Sequence, residues 1–232
     1  SIRIQIAIIT KLINNTKFKI DKGDHLLDTH THILWNIDDG SKNQCMSLQM
    51  LEIAARSGTK AIFATPHVIE RANKPSWEEI KEKTQQLRQL CAEAQIDIML
   101  YPGAEVQMNW ELLPELGAAG AYCLNGGRYL LVELPAAEIP AYADEFWYEL
   151  ELKGITPILA HPERYQQLRE NPDLLLLWRR RGMLMQCNSG SFTGMFGSSV
   201  CENAKVLLAN GLVDLLGSDG HRSEGRNTDM SR

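Results

Sequence analysis

The feature that most constrains this chain is a unit repeated along it: a short apolar run, a cluster of His, Asp or Glu, then a connecting stretch, usually with helical periodicity. Seven runs carry it: HLLDTHTHIL (25–34), KAIFATPH (60–67), IDIMLYPGAE (96–105), RYLLVEL (128–134), ITPILAH (155–161), MLMQCNSGS (183–191) and LVDLLGSDGH (212–221). Strands that alternate with helices pair in parallel, and parallel strands are covered on both faces, which is why such runs are nearly continuously apolar. In a closed parallel barrel all C-terminal strand ends open on one face. The polar clusters stand at those ends, so residues spread along most of the chain are expected to converge.

The connections support this rhythm. Met46, Met50, Ile53 and Ala54 fall on one face of a helix predicted over Cys45–Arg56, with Gly58 as its stop. Ser76-Trp77-Glu78-Glu79 has capping-box spacing and opens a helix to about Ala94. Further helices are expected over Ala141–Lys153, from the N-cap Asn171 and Pro172 to Gly182, and from Ser198 to Asn210-Gly211. Leu112–Gly127 is less regular. Phe146, Trp147 and Tyr148 read as helix core, and Arg179-Arg180-Arg181 as a solvated helix C-terminus whose cations complement the dipole.

Composition narrows the class. The chain has 232 residues, 44% hydrophobic and 23% charged, as an ordinary globular domain does. A net charge of -5 gives no footprint for nucleic acid. Five scattered cysteines without a CxxC pair indicate neither a disulfide framework nor a thiolate zinc site, and fit a reducing cytoplasm. No apolar run reaches the roughly 18 residues needed for membrane insertion. Residues 1–25, which include SIRIQIAIITKLINN, read as an N-terminal extension, an appended strand or loose arm, before a domain over 26–232.

The chemistry lies in His30, His32, Asp39, His67, Glu105, Glu133, His161, Asp219 and His221. Five of the six histidines are in this set, each at a strand end. One such histidine alone is more often a satisfied structural residue; five with carboxylates opposite form a site. In His30-Thr31-His32 the period of two turns both imidazoles to one side of a strand. Imidazole and carboxylate without thiolate suit manganese, iron, zinc or magnesium, and nine ligands exceed what one ion needs, so two or three ions are expected. Arg164 and Arg226 follow His161 and His221 closely, and a planar guanidinium grips phosphate bidentately. Metals with arginines point to a phosphorylated substrate. Asp28 and Asp38 read equally as partners of the ligands or as turn residues, Asn188 and Ser189 as supports of the site or as loop.

These motifs, DTHTHILWNIDDG, ATPH, PGAE, LLVEL, AHPER, CNSGS and SDGH in this order, closely resemble the polymerase-and-histidinol-phosphatase (PHP) superfamily. More narrowly, they resemble its bacterial manganese-dependent protein-tyrosine phosphatases of capsular and exopolysaccharide biosynthesis. The resemblance runs from about residue 26 to the end. It implies a distorted (β/α)7 TIM-like barrel holding three ions, with Mn2+ as the metal. It also implies that His30, His32, Glu105 and Asp219 hold one ion and that Glu105 bridges to a second with Glu133 and His161. Asp39, His67 and His221 would hold the third. Arg164 and Arg226 would bind the phosphate, and with Asp219 and His221 carry catalysis through a metal-bridging hydroxide, the substrate being a phosphotyrosine protein such as a bacterial tyrosine autokinase. Trp35 stands where the family has proline, His25 matches no motif position, and the final helical segment of relatives is expected to be missing after Arg232. A histidinol-phosphate type phosphomonoesterase and a catalytically impaired, metal-stabilised phosphopeptide-binding module are the alternatives.

Overall fold

The structure, a computed structural model, describes residues 26–231. The expected N-terminal arm and His25 lie outside the described residues. Nine strands are present among them, every pair parallel: β1 (Leu26–Thr31), β2 (Thr59–Ala64), β3 (His67–Val68), β4 (Met99–Pro102), β5 (Glu105–Gln107), β6 (Tyr129–Glu133), β7 (Thr156–Ala160), β8 (Leu184–Asn188) and β9 (Leu215–Gly217). They order as β1-β2-β4 and β3-β5-β6-β7-β8-β9.

Seven apolar runs become nine strands because two runs break. The second breaks at Thr65-Pro66, where proline has no N–H to donate, and the third at Gly103-Ala104. Bonding continues across both breaks, since Gly103 N donates to the Ala64 carbonyl (2.9 Å) and Glu105 N to the Pro66 carbonyl (3.0 Å). The first and last strands also meet: Asp219 N donates to the His30 carbonyl (2.8 Å) and His32 N to the Gly220 carbonyl (3.0 Å). The result is a curled, parallel α/β wall.

Alternation along the strands builds two cores. In β6, Leu130 and Val132 face the helix layer with Met50, Leu87, Phe146 and Trp178, while Tyr129 and Leu131 join Phe63, Tyr101, Ile158 and Leu215 in a second, smaller cluster. Both faces are apolar, so the runs show no polar alternation. The helices are α1 (Gln44–Arg56), α2 (Trp77–Glu93), α3 (Ala143–Leu152), α4 (Gln166–Glu170), α5 (Pro172–Arg180), α6 (Ser189–Phe192) and α7 (Ser198–Ala209), with short 3-10 turns over 110–126. Ser76 caps α2 as its spacing predicts, accepting from Glu79 N at 3.1 Å.

Asn171 stands at the N-cap of α5 with Pro172 after it as expected, without a side-chain bond, and its N–H closes α4 on the Gln167 carbonyl at 2.9 Å. Two local expectations are corrected. Tyr148 is exposed at 57% while Phe146 and Trp147 are buried, since three consecutive residues at about 100° each cannot all face one side of a helix. Arg179 is not merely solvated; it pairs with the buried Asp214, whose carboxylate also accepts from Met185 N (2.9 Å), tying α5 to β8. No helix of the described residues is long and apolar enough to cross a membrane.

Candidate metal centre

All nine candidate ligands come together in one cluster. His30 lies in β1 and His32 just beyond it; His67, Glu105 and Glu133 belong to β3, β5 and β6; His161, Asp219 and His221 follow β7 and β9. His161 and Asp219 have positive φ, +37° and +52°, a conformation rarely adopted by side-chain-bearing residues and concentrated at functional sites. Asp39 reaches in from the turn after β1. Gly40 closes that turn because a Cβ there would collide with the His32 carbonyl oxygen.

The centre of the cluster is buried: His30, His32, Glu105 and Asp219 are all at 1% exposure or less. His30 Nε2 and His32 Nε2 stand 3.1 Å apart, with Glu105 Oε2 at 3.0 and 3.2 Å and Asp219 Oδ1 at 3.5 and 3.4 Å. His67 Nδ1 is 3.1 Å from Glu105 Oε2 and 3.3 Å from Glu133 Oε1. His161 Nε2 meets Glu105 Oε1 at 2.9 Å. At the rim, Asp39 Oδ1 is 3.4 Å from His221 Nε2 and 3.7 Å from His67 Nε2.

Four sets of these atoms could each hold an ion: His32, Asp39, His67 and His221; His30, His161 and Asp219; His30, His32 and Glu105; His67, Glu105 and Glu133. The clustering differs in part from the division the resemblance implies, for His67 rather than His161 groups with Glu105 and Glu133.

The donor set fits metal. His30 Nδ1 faces the Gln186 carbonyl oxygen Oε1 (3.0 Å) and His32 Nδ1 the Asp38 carboxylate (2.7 Å), both acceptors only. Each Nδ1 must therefore carry the proton, which leaves two Nε2 lone pairs facing each other in the neutral rings. A cation resolves that contact. Glu105 Oε2, Asp219 Oδ1 and His67 Nδ1 are buried without a hydrogen-bond partner, as ligand atoms aimed at a shared point would be.

Titration points the same way. Burial alone disfavours charge on His30 and His32, yet Glu105 and Asp219 around the first, and Asp38 beside the second, raise both above the ordinary histidine value. Burial would likewise raise Glu105 and Asp219, but His30 and His67 hold the former, and His30, His32 and Arg226 the latter, well below the carboxylate range. The carboxylates demand positive charge at the Nε2 atoms, which a metal supplies as well as a proton does. Asp39 is lowered by hydrogen bonding to His221, and His221 is itself lowered by burial and by His32.

Arg164 and Arg226 reach the same place. Both guanidiniums bind Asp219 Oδ2, Arg164 at 3.2 Å, and Asn188 Nδ2 donates to that oxygen at 2.7 Å. Asp219 thus turns Oδ1 to the imidazoles and Oδ2 to the cations. With Asp39, His67, Glu105, Glu133, His161 and His221 they line a cleft of about 700 Å³ that extends to the Leu134–Ile139 loop and α4.

Several residues acquire roles the sequence left open or missed. Asp38 is a histidine partner as well as a turn residue, since it also accepts from Gly40 N (2.8 Å) and His67 N (3.0 Å). Asp28 accepts from His30 N (3.2 Å) and Ser218 N (2.8 Å), joining β1 to β9, and burial pushes its carboxyl up to about 6. Gln186 is a further partner the sequence did not mark; it faces His30 Nδ1 from within β8. Buried Glu163 accepts from Asn188 N (2.9 Å) and Ser191 Oγ (2.7 Å), fixing the end of β8. Arg222 donates to the Asp39 and Gly40 carbonyls (2.6 and 2.9 Å), clasping the turn that carries Asp39. Trp35 needs no proline's role: it is buried at 8%, and its carbonyl accepts from Lys83 Nζ at 3.0 Å.

Fold and site together define a parallel α/β protein whose strand ends converge on a candidate multi-metal centre flanked by two arginines. The family model for capsular polysaccharide synthesis, CpsB/CapC, matches residues 26–232, and the chain belongs to this family. It is 34% identical over 202 residues to the tyrosine-protein phosphatase YwqE of Bacillus subtilis (strain 168), covering 87% of this chain and 80% of that one. To the tyrosine-protein phosphatase CpsB of Streptococcus pneumoniae it is 28% identical over 206 residues, 87% of this chain and 85% of that one. A solved structure from the set of YwqE and CpsB, described as unique metal-dependent tyrosine phosphatases, superposes with a TM-score of 0.82 at 34% identity, covering 88% of this chain and 83% of the other. A histidinol phosphate phosphatase from Lactococcus lactis shares the fold at TM-score 0.56 and 17% identity, over 85% of this chain and 87% of that one.

Proposed function

We propose that this chain is a metal-dependent phosphatase that hydrolyses protein phosphotyrosine. The observation that carries the reading is the clustering of nine metal-ligand candidates, six of which line one cleft together with two arginines. The names of its relatives support the substrate class. In this reading residues 26–232 form one domain, preceded by an extension over 1–25, and its strands make up a distorted (β/α)7 barrel in which β2–β3 and β4–β5 each count as one strand. The protein works in the cytoplasm on a bacterial tyrosine kinase that controls capsular or exopolysaccharide synthesis.

His30, His32, Asp39, His67, Glu105, Glu133, His161, Asp219 and His221 would hold up to three ions, Mn2+ foremost, with Glu105 shared between two of them. When bound, such ions act as Lewis acids on phosphoryl oxygens and acidify water at neutral pH. The rest falls to the chain itself. Arg164 and Arg226 bind the phosphoryl group and neutralise the charge that spreads over its oxygens in the transition state. Asp219 Oδ2, itself bound by Asn188, holds the arginines beside the ligands. A phenolate leaving group, with a pKa near 10, departs with little acid assistance, so no strong general acid is required. The cleft continues well past the centre along the Leu134–Ile139 loop, which suits a side chain on a polypeptide.

The test is elemental analysis of the purified protein coupled to an assay of phosphotyrosine peptide and histidinol phosphate, at matched concentration, across metals. Turnover of the peptide with Mn2+, lost on chelation, is expected. Activity that survives exhaustive chelation would sink the metal reading, preference for histidinol phosphate the substrate reading, and metal and peptide binding without turnover the enzyme reading.

A further inference from the structure

We propose that Phe196 is a positioning residue for the phosphate-binding arginines, holding both guanidiniums by their π faces so that their N–H edges stay free for the phosphoryl group. The inference rests on the reading of Arg164 and Arg226 as the phosphate ligands.

The ring lies at the junction of the two cations. The guanidinium carbon of Arg164 is 4.8 Å from the Phe196 centroid and that of Arg226 is 5.5 Å, both within the reach of a cation–π contact. The two arginines are far apart in sequence and come from different strand ends, yet share one ring and one carboxylate oxygen, Asp219 Oδ2. These two holds act differently. A carboxylate binds guanidinium through its N–H edge, the same edge a phosphate needs, and so competes with substrate. An aromatic face attracts the cation through its quadrupole and consumes no donor. It also partly offsets the repulsion between two cations gathered at one point. Phe196 can therefore keep both arginines in place when their donors turn to a phosphoryl group, which Asp219 alone cannot do.

The chain builds a support for this ring. Phe196 sits between Gly194 and Gly197, whose φ angles of +83° and +95° only glycine adopts freely. Gly197 N donates to the Gly194 carbonyl (3.0 Å) and Met195 N to the Gly190 carbonyl (3.0 Å), pinning the loop to α6. Gly190 is packed so closely by Met195 that a Cβ there would lie 2.8 Å from its sulfur. That helix follows directly from β8, whose end Glu163 fixes. The ring is thus carried on a braced turn, as a group that orients others must be.

The experiment measures the affinity of the Mn-loaded protein for inorganic phosphate by calorimetry, together with KM and kcat for a phosphotyrosine peptide. It compares the native protein with Phe196→Leu, which keeps bulk but removes the π face, and Phe196→Tyr, which keeps it. Phe196→Leu is expected to weaken phosphate binding about tenfold and lower kcat/KM in proportion, with metal content and thermal midpoint unchanged. Phe196→Tyr should restore phosphate affinity to within about twofold. Native-like phosphate affinity in Phe196→Leu, or equal loss in both variants, overturns the proposal while leaving the phosphatase reading intact. If the native protein binds phosphate in a Phe196-dependent way but hydrolyses no phosphotyrosine, the activity reading fails and the positioning role stands. If it binds no phosphate at all, the arginine assignment fails and the proposal falls with it.

Discussion

The Nδ1 of His32 and a carboxylate oxygen of Asp38 lie 2.7 Å apart, and Asp38 is itself held by the N–H groups of Gly40 and His67. One acidic side chain thus fixes the tautomer of a buried imidazole and ties together the β1 turn and β3. Removing such a partner of a ligating histidine typically costs about ten- to a hundredfold in metal affinity. Asp38→Asn, which keeps an acceptor but loses the charge, is expected near the lower end, and Asp38→Ala near the upper. Metal titration followed by calorimetry measures both, and affinities equal to the native value would refute the role.

Gly217 packs against the site with no room for a side chain. A Cβ there would lie 2.5 Å from His30 Cβ and 2.8 Å from Gln186 Nε2, and its φ is not one that requires glycine. Gly217→Ala should therefore act by steric displacement of His30 and its amide partner. We expect reduced metal content and a loss of activity greater than any loss of fold, read by elemental analysis beside circular dichroism. A fully metallated, fully active variant would contradict the packing.

Chelation is expected to abolish activity and Mn2+ to restore it. Because metal binds the folded protein, each site should also add about 2.7 kcal/mol of stability at a free metal concentration one hundred times its Kd. Thermal melts with and without chelator provide the check, and coincident melts would argue against resident metal.

Arg164→Ala should lower kcat/KM for phosphotyrosine peptide by more than a factor of about ten, since it removes a donor to charge that develops in the transition state. The metal content should hold, because Arg226 and Asn188 still hold Asp219 Oδ2. A loss confined to metal content would show that Arg164 serves Asp219 rather than substrate.

The buried thiols give a pH prediction away from the centre. Burial pushes Cys123 from 9.0 up to about 12. A group whose acid form is favoured in the folded state contributes stability that is fully present below its unfolded value. That contribution is lost as pH rises through 9.0 toward about 12. Denaturation midpoints should fall between pH 8 and pH 10.5, and less steeply in Cys123→Ala. Alkylation at pH 8 should label the exposed Cys45 and spare Cys123 and Cys187 without loss of activity. Equal pH slopes in the two proteins would refute the burial argument.

Much of the molecule could be read before any coordinate. The strand–helix alternation follows from apolar runs and helix signals that act locally, and the nine ligand candidates could be named because strand ends and residue types are both written in the chain. The capping Ser76 and the stop at Gly58 are likewise short-range. Gln186, Phe196 and Arg222 were not legible, because an amide in a strand, a phenylalanine between glycines and an arginine in a loop carry no local mark of what they touch. Their meaning comes from His30, 156 residues away, from two arginines, and from a turn 182 residues away.

The sequence by itself therefore determined the residue types at the strand ends and the period that turns His30 and His32 to the same side, because these depend on backbone geometry over a few residues. Only the tertiary structure decided which candidate atoms lie close enough to share an ion, how Asp219 divides its two oxygens between imidazoles and arginines, and which ring lies over those arginines. Such choices are settled by distances of a few ångströms between segments that meet only when the sheet curls and the last strand bonds to the first.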